Sequence, residues 1–234
     1  MNINLSKRFP KKIFNIIKLV GEVADRENFS VYIVGGPVRD VLLGLSNYDL
    51  DFVVEGDAIK FAEILNENLG GSLKKYRAFK TATIDYKKMR IDVVTARSES
   101  YEKPAAYPKV TPGAIREDLF RRDFTINAMA ISLNKTNFGR LIDFYGGTGD
   151  LKKGLVRIMH EGSFIDDPTR IFRAVRFSTR FNFKIEPHTK KLIKEAILDG
   201  WLGEVNRGRI KKEVELFLKE KDPRKCLDGF SKLV

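Results

Sequence analysis

Asp49 and Asp51 stand two residues apart in the run Tyr48–Val54, whose other members are apolar or aromatic. An extended chain turns alternate side chains to opposite faces, so both carboxylates share one face. Two like charges side by side repel and are costly to desolvate, and a cation removes both costs. With oxygen donors alone, the fitting ion is Mg²⁺ or Mn²⁺. A solvated edge strand, or an Asx turn at Asn47–Asp49, accounts for the same residues without a metal. Ahead of the pair, Val31-Tyr32-Ile33-Val34 reads as a buried strand. Gly35-Gly36 ends it, and Pro37 suits the first turn of a helix. Strand, glycine turn and helix N-terminus together present backbone N–H groups and a positive dipole end to an anion. A phosphate cradle beside paired carboxylates is the equipment of metal-assisted phosphoryl or nucleotidyl transfer.

Further polar residues follow in apolar surroundings. Asp92, within Arg-Ile-Asp-Val-Val, is either a third carboxylate beside the pair or the partner of a neighbouring arginine. Arg121-Arg122-Asp123 precedes an apolar segment. The arginines would neutralise a triphosphate and Asp123 would accept from a ribose hydroxyl; alternatively Asp123 is a helix N-cap between surface arginines. Asp166-Asp167-Pro168 starts a helix on which Arg170, Arg173, Arg176 and Arg180 line one side, with Ile171, Ala174, Val175 and Phe181 packed behind. Asp167 and Arg170, three apart, then project together as an acceptor beside a donor. Cytosine and adenine both show an exocyclic amino donor next to a ring-nitrogen acceptor and match that pair. Uracil and guanine show the reverse order and leave a carboxylate and a guanidinium unpaired, which rejects them. An ordinary ion pair capping the helix is the other reading.

These residues need elements to hold them. Pro10 opens a helix with Ile13, Ile16, Ile17, Val20, Val23 and Ala24 at three- and four-residue spacing. Gly56-Asp57 caps a second amphipathic helix that ends at Gly70-Gly71. Strand candidates are Ser72–Tyr76, Thr81–Tyr86 and Arg90–Thr95, the last two joined at Lys87-Lys88 as a hairpin. This is an α+β sheet domain. Ala96–Gly113 loses all periodicity, carries three prolines, and reads as a mobile loop near the site. Leu141–Tyr145 reads as a closing strand before the glycine-rich 146–149. Beyond it the pattern is helical, including 187–198 and 206–219, so residues 1–145 and 146–234 are taken as two domains.

The composition allows a real core, with 43% hydrophobic residues in 234. A formal net charge of +12 fits a polyanionic partner, or else a lysine-rich solvated surface. Cys226 is the single cysteine, so no internal disulfide forms, and one thiol with two histidines builds no zinc site. The apolar run Ile13–Val20 is broken by Asn15 and Lys18 and is no secretory signal. No stretch is apolar for long enough to span a membrane, which points to the cytoplasm. The oligomeric state is left open.

In order along the chain, GGPVRD with DLD, RIDVVTARSE, RRDFTINAMA, IDFYGGTGDL and DDPTRIFRAVRF resemble the class II tRNA nucleotidyltransferases. That family includes CCA-adding enzymes, their A-adding and CC-adding relatives, and bacterial poly(A) polymerases. The resemblance implies a polymerase-β-type nucleotidyltransferase head with a mixed sheet, followed by an all-helical neck. It would make Asp49 and Asp51 the catalytic Mg²⁺ ligands of a two-metal reaction and put Gly35, Gly36 and Arg39 on the triphosphate. Arg122 and Asp123 would meet the nucleotide's phosphate or ribose. Asp167 and Arg170 would read the base, supported by Arg173 and Arg176. The implied reaction is attack of the tRNA 3′-hydroxyl on the α-phosphorus of CTP or ATP, with release of pyrophosphate.

Family members continue into further helical domains, body and tail, whereas this chain ends at Val234. Weak tRNA affinity is the resulting expectation. CC-adding members have a shortened loop where Ala96–Gly113 is full length, so A addition is allowed, and YEKPAAYPKVTPGAIREDL resembles the branch holding A-adding enzymes. Two alternatives share the residues: a poly(A) polymerase acting on other RNA, and an RNA-binding module that has lost catalysis.

Overall fold

The structure is a computed structural model that describes residues 1–45 and 49–233. Tyr48 as the first residue of its strand, and the Asn47 on which an Asx turn would rest, lie outside the described residues. The chain divides into two compact units. The first holds residues 1–98, 111–121 and 127–145; the second holds 99–110, 122–126 and 146–233.

From the N-terminus the first unit begins with helices α1 (Leu5–Arg8) and α2 (Lys11–Arg26), strand β1 (Ser30–Val34) and helix α3 (Gly36–Leu43). Strand β2 (Leu50–Glu55), helix α4 (Ala58–Leu69), and strands β3 (Ser72–Tyr76), β4 (Thr81–Tyr86) and β5 (Met89–Thr95) follow. Two short strands that sequence periodicity did not show, β6 (Arg97–Ser100) and β7 (Lys109–Pro112), bracket the loop expected to be patternless, and residues 99–110 of this stretch belong to the second unit. Helix α5 (Ile115–Phe120) and strands β8 (Ala130–Ser132) and β9 (Leu141–Ile142) complete the unit. The expected strand Leu141–Tyr145 is thus only two residues long.

Seven strands form one sheet in the order β3-β4-β5-β2-β1-β8-β9. Only β2 and β5 run parallel; the other ladders are antiparallel, so the sheet is mixed. The hairpin at Lys87-Lys88 closes as expected, with Tyr86 opposite Met89. Both lysines hold positive φ, 47° and 63°, the requirement of a tight two-residue turn. Asp57 caps α4 by accepting from the N–H groups of Ile59 and Lys60. In α2, Gly21 permits close approach, since a Cβ there would lie 2.3 Å from the Leu133 carbonyl oxygen.

Register decides which residues share a face. Ile33, Phe52, Val93 and Ala82 align across four strands and are buried. The neighbouring row, on the opposite face, is Asp51, Asp92, Thr83 and Lys74. Lys75 opposite Ala82 pairs with Glu63 of α4, so α4 covers the apolar face and the acidic row lies on the other.

The second unit is helical. It contains α6 (Gly147–Lys153), α7 (Ser163–Asp166), α8 (Arg170–Phe181), α9 (Pro187–Leu198), α10 (Arg207–Leu218) and α11 (Pro223–Ser231). One two-residue parallel ladder, β10 (Leu155–Val156) with β11 (Lys184–Ile185), is added to the helices. The core of the unit forms on α8. Phe172 stacks on Phe230 at 4.9 Å and meets Phe217 edge-on at 5.8 Å, while Phe177 meets Phe124 edge-on. Phe124 also bridges to Ile158, and the Thr125 N–H donates to the Arg157 carbonyl. Residues 122–126 therefore pack inside the helical unit, although they precede it in sequence.

Candidate active site

In the first unit, the glycine turn is built as the residues demand. Gly35 adopts φ 70°, and its N–H donates to the Met129 carbonyl. Gly36-Pro37 then starts α3, with Pro37 where a missing N–H is harmless. Ile33 pairs with Phe52, so Asp51 comes alongside the end of β1 that leads into Gly35. The carboxylate strand and the glycine turn are therefore neighbours. Asp49 is exposed and immediately precedes β2 rather than lying inside it; Asp51 is half-buried in β2.

Asp92 sits beside Asp51 in the parallel register. Its carboxylate accepts from Thr83 Oγ1 at 2.6 Å and from Arg90 Nε at 2.8 Å. It is both the neighbouring carboxylate and the partner of an arginine. Among the described residues, no three His, Cys, Asp or Glu gather into a group that would hold a metal ion. The donor set that remains, two hard-oxygen carboxylates, fits an ion completed by substrate phosphates and water, which is how Mg²⁺ is commonly held.

Arg39 lies in the first turn of α3. Its guanidinium is buried, only 4% exposed. Nε and Nη2 both reach Asp40 Oδ1 at 2.8 Å, and Nη1 donates to Asn127 Oδ1. A guanidinium held there is fixed beside the glycine turn, with Nη2 3.6 Å from where a Cβ at Gly36 would lie. Asn127, whose amide oxygen accepts from Nη1, lay in an apolar run and had no signal beyond being polar there.

The second unit holds the other candidates. Asp123 is buried and no α-helix starts at it, so it is not a helix N-cap. Asp123 Oδ1 accepts from the Phe124 N–H, and Oδ2 is held by Arg173 through Nε at 2.8 Å and Nη2 at 2.6 Å. Asp123 in turn raises the pKa of the Arg173 guanidinium. Arg122 is half-buried beside it. Arg176 is buried and lies 3.6 Å from Glu213 Oε2. Burial is the largest influence on both, pushing the arginine pKa down and the carboxyl up. Arg180, further along α8, donates to Glu220 Oε2 at 3.0 Å.

Asp167 and Arg170 are not a helical i,i+3 pair. Asp167 is extended and ends α7, while Arg170 opens α8 and is buried. Proline at 168 disfavours helical backbone at Asp167. Asp167 Oδ1 accepts from the Thr169 N–H at 3.0 Å and from Thr169 Oγ1 at 2.6 Å, and Arg209 Nη2 lies 2.7 Å away. All three contacts fall on one oxygen. Arg209 also donates from Nη1 to the Ala105 carbonyl and lies over Tyr107. Its helix, rich in lysine and arginine, gave no sequence signal to single it out. Tyr101, in the same loop, donates to Glu99, and burial, with Glu99 second, pushes its phenol up to about 12.

Residues 31–157 match the poly(A) polymerase head domain, more than half of the chain. The chain belongs to the poly(A) polymerase head domain family. The matched segment of this head domain contains the glycine turn, both aspartates and Asp123. Asp167, Arg170, Arg173 and Arg176 lie beyond it. The chain is 51% identical over 189 residues to the A-adding tRNA nucleotidyltransferase of Aquifex aeolicus (strain VF5), a stretch covering 81% of this chain and 23% of that protein. A Thermotoga maritima CCA-adding enzyme complexed with tRNA superposes with a TM-score of 0.89 at 45% identity, covering 100% of this chain and 54% of that one. A CCA-adding enzyme in complex with ATP gives 0.91 at 43% identity, over 100% of this chain and 55% of that one. The chain thus spans about a quarter of the Aquifex aeolicus relative and about half of each solved chain.

Proposed function

We propose that the chain carries the nucleotidyl-transfer site of a template-independent tRNA nucleotidyltransferase that adds AMP to the tRNA 3′ end. A chain of the CCA-adding type adds CMP as well, and the work is done in the cytoplasm. Among the described residues no helix is long and apolar enough to cross a membrane. The observation that carries the reading is the register that sets Asp51 beside the end of β1, next to the glycine turn and the N-terminus of α3. Asp51 and the turn that would cradle phosphate then adjoin on neighbouring strands.

Asp49 and Asp51 would hold Mg²⁺. When bound, the ions supply an activated 3′-hydroxyl and charge stabilisation on the phosphoryl oxygens. The turn at Gly35-Gly36 and the first N–H groups of α3 would cradle the triphosphate, braced by Arg39 through Asp40 and Asn127. In the helical unit, Asp167 would accept from the amino group of adenine or cytosine, and Arg170 would donate to the ring nitrogen. Arg122, Asp123, Arg173 and Arg176 would form the arginine-rich side that receives the nucleotide, with Asp123 fixing Arg173.

Labelled ATP and CTP offered with Mg²⁺ to three tRNAs test this: one ending at the discriminator base, one after a single C, one lacking only the terminal A. A addition to the last alone gives an A-adding enzyme, and stepwise addition to the first gives a CCA-adding one. The family's own description favours one second reading, a poly(A) polymerase. Repeated A addition to an unstructured oligonucleotide identifies it. Failure to incorporate either nucleotide contradicts both.

A further inference from the structure

Residues 72–90, from β3 to the start of β5, contain seven lysines and arginines against one acid, Asp85. Their net +6 is half of the chain's +12. Strand β3 is an edge strand, and charged side chains commonly blunt such edges. Lys74 and Lys75 meet that need, paired with Asp85 and Glu63. Four others do not. Arg77 and Lys80 flank Phe79 in the turn between β3 and β4, and Lys87 and Lys88 form the turn between β4 and β5. All four are exposed, and none has an acidic partner among the described residues.

Backbone conformation adds a separate observation. Lys80, Lys87 and Lys88 all hold left-handed backbone, φ 51°, 47° and 63°, where glycine and asparagine are the favoured residues. A lysine at such a position costs about 1 kcal/mol, and strain of this kind clusters where function requires the side chain. Beside the charges stand exposed rings, Tyr76 at 45% and Phe79 at 68% exposure. Charge with exposed aromatic faces matches RNA, whose phosphates and bases use both.

Position sets the direction. Lys74, Thr83, Asp92 and Asp51 form one row across adjacent strands, so the basic end lies on the sheet that carries the aspartates. Three strand spacings separate Lys74 from Asp51, about 14 Å. The two basic turns lie at opposite ends of the five-residue β3, about 17 Å apart and about five nucleotides of a stacked strand. We infer that the β3–β5 end of the sheet is an RNA surface that takes the sugar–phosphate backbone of the strand whose 3′ end is extended at Asp51. The inference rests on the function proposed above.

The test uses the whole chain and a fluorescent tRNA lacking its terminal A, with affinity read by anisotropy across a salt series. The variant Arg77→Gln/Lys80→Asn/Lys87→Asn/Lys88→Gly removes four charges while suiting the left-handed positions. A control, Lys7→Gln/Arg8→Gln/Lys11→Gln/Lys12→Gln, removes the same charge from exposed sites on and beside α1 and α2. The patch variant is expected to bind at least about tenfold more weakly, its salt slope smaller by about 2 to 4, with the control within about threefold. ATP affinity stays the same in both. Equal losses in the two variants, or none, overturn the surface while the function stands if the unmodified chain still incorporates AMP. Loss of binding to phosphatidylserine vesicles with tRNA binding unchanged assigns the patch to a membrane and overturns it also. An unmodified chain that neither binds this tRNA nor incorporates AMP overturns both.

Discussion

Arg209 Nη2 lies 2.7 Å from Asp167 Oδ1, the same oxygen that accepts from the backbone and hydroxyl of Thr169. Oδ2 has no partner among the described residues. A carboxylate pinned through one oxygen presents the other in a fixed direction, which is what reading a base's amino group requires. Arg209 is therefore a positioning residue in the proposed site, tied at its other nitrogen to the Ala105 carbonyl.

Arg209→Lys keeps the charge but loses the planar fork that spans two acceptors. The kcat/KM preference for ATP over UTP should fall about tenfold or more, about 1.4 kcal/mol of discrimination. Steady-state kinetics with each triphosphate check this, and Thr169→Val should fall the same way. A purely structural contact would lower activity with both nucleotides equally.

Asp123→Asn leaves the Arg173 guanidinium facing a neutral amide in a largely buried site. Breaking such a pair from one side should cost about 2–4 kcal/mol, read as a lower urea midpoint. Asp123→Asn with Arg173→Met should recover part of the loss, because the unpaired buried charge is then gone.

The hairpin at Lys87-Lys88 makes a prediction of opposite sign. Asn and Gly suit its positive φ angles, so Lys87→Asn/Lys88→Gly should stabilise the chain by about 1 kcal/mol and raise Tm.

His160 gives a pH dependence. Burial, with Arg170 second, holds its imidazole below the ordinary 6.5, and Asp166 at 3.8 Å opposes the shift. The folded chain then binds fewer protons at this group than the unfolded chain. Its contribution is fully present above 6.5 and is lost as pH falls through that value towards the folded pKa. His160→Gln should flatten the loss of stability between about pH 7 and pH 5, measured by urea titration at each pH.

The strand of Asp51, the glycine turn, the Asp57 cap of α4 and the lysine hairpin were legible, because each rests on local rules of alternation, φ preference or capping. Arg39, Asp123 and Asp167 were legible as functional candidates but not as paired groups. Their partners Asn127, Arg173 and Arg209 lie 88, 50 and 42 residues away along the chain, and no local pattern encodes such pairings. The loop around Tyr101 looked featureless for a related reason. Its order comes from distant contacts, such as the Ala105 N–H with the Ile165 carbonyl, rather than from its own periodicity.

The most direct measurement is the rate of AMP incorporation into a tRNA lacking its terminal A, comparing the unmodified chain with Asp51→Asn. Neutralising one of the two carboxylates proposed to hold Mg²⁺ should lower the rate at least about a thousandfold while the fold and ATP binding survive. An Asp51→Asn chain that incorporates AMP at the unmodified rate would contradict the placement of the chemistry at Asp49 and Asp51.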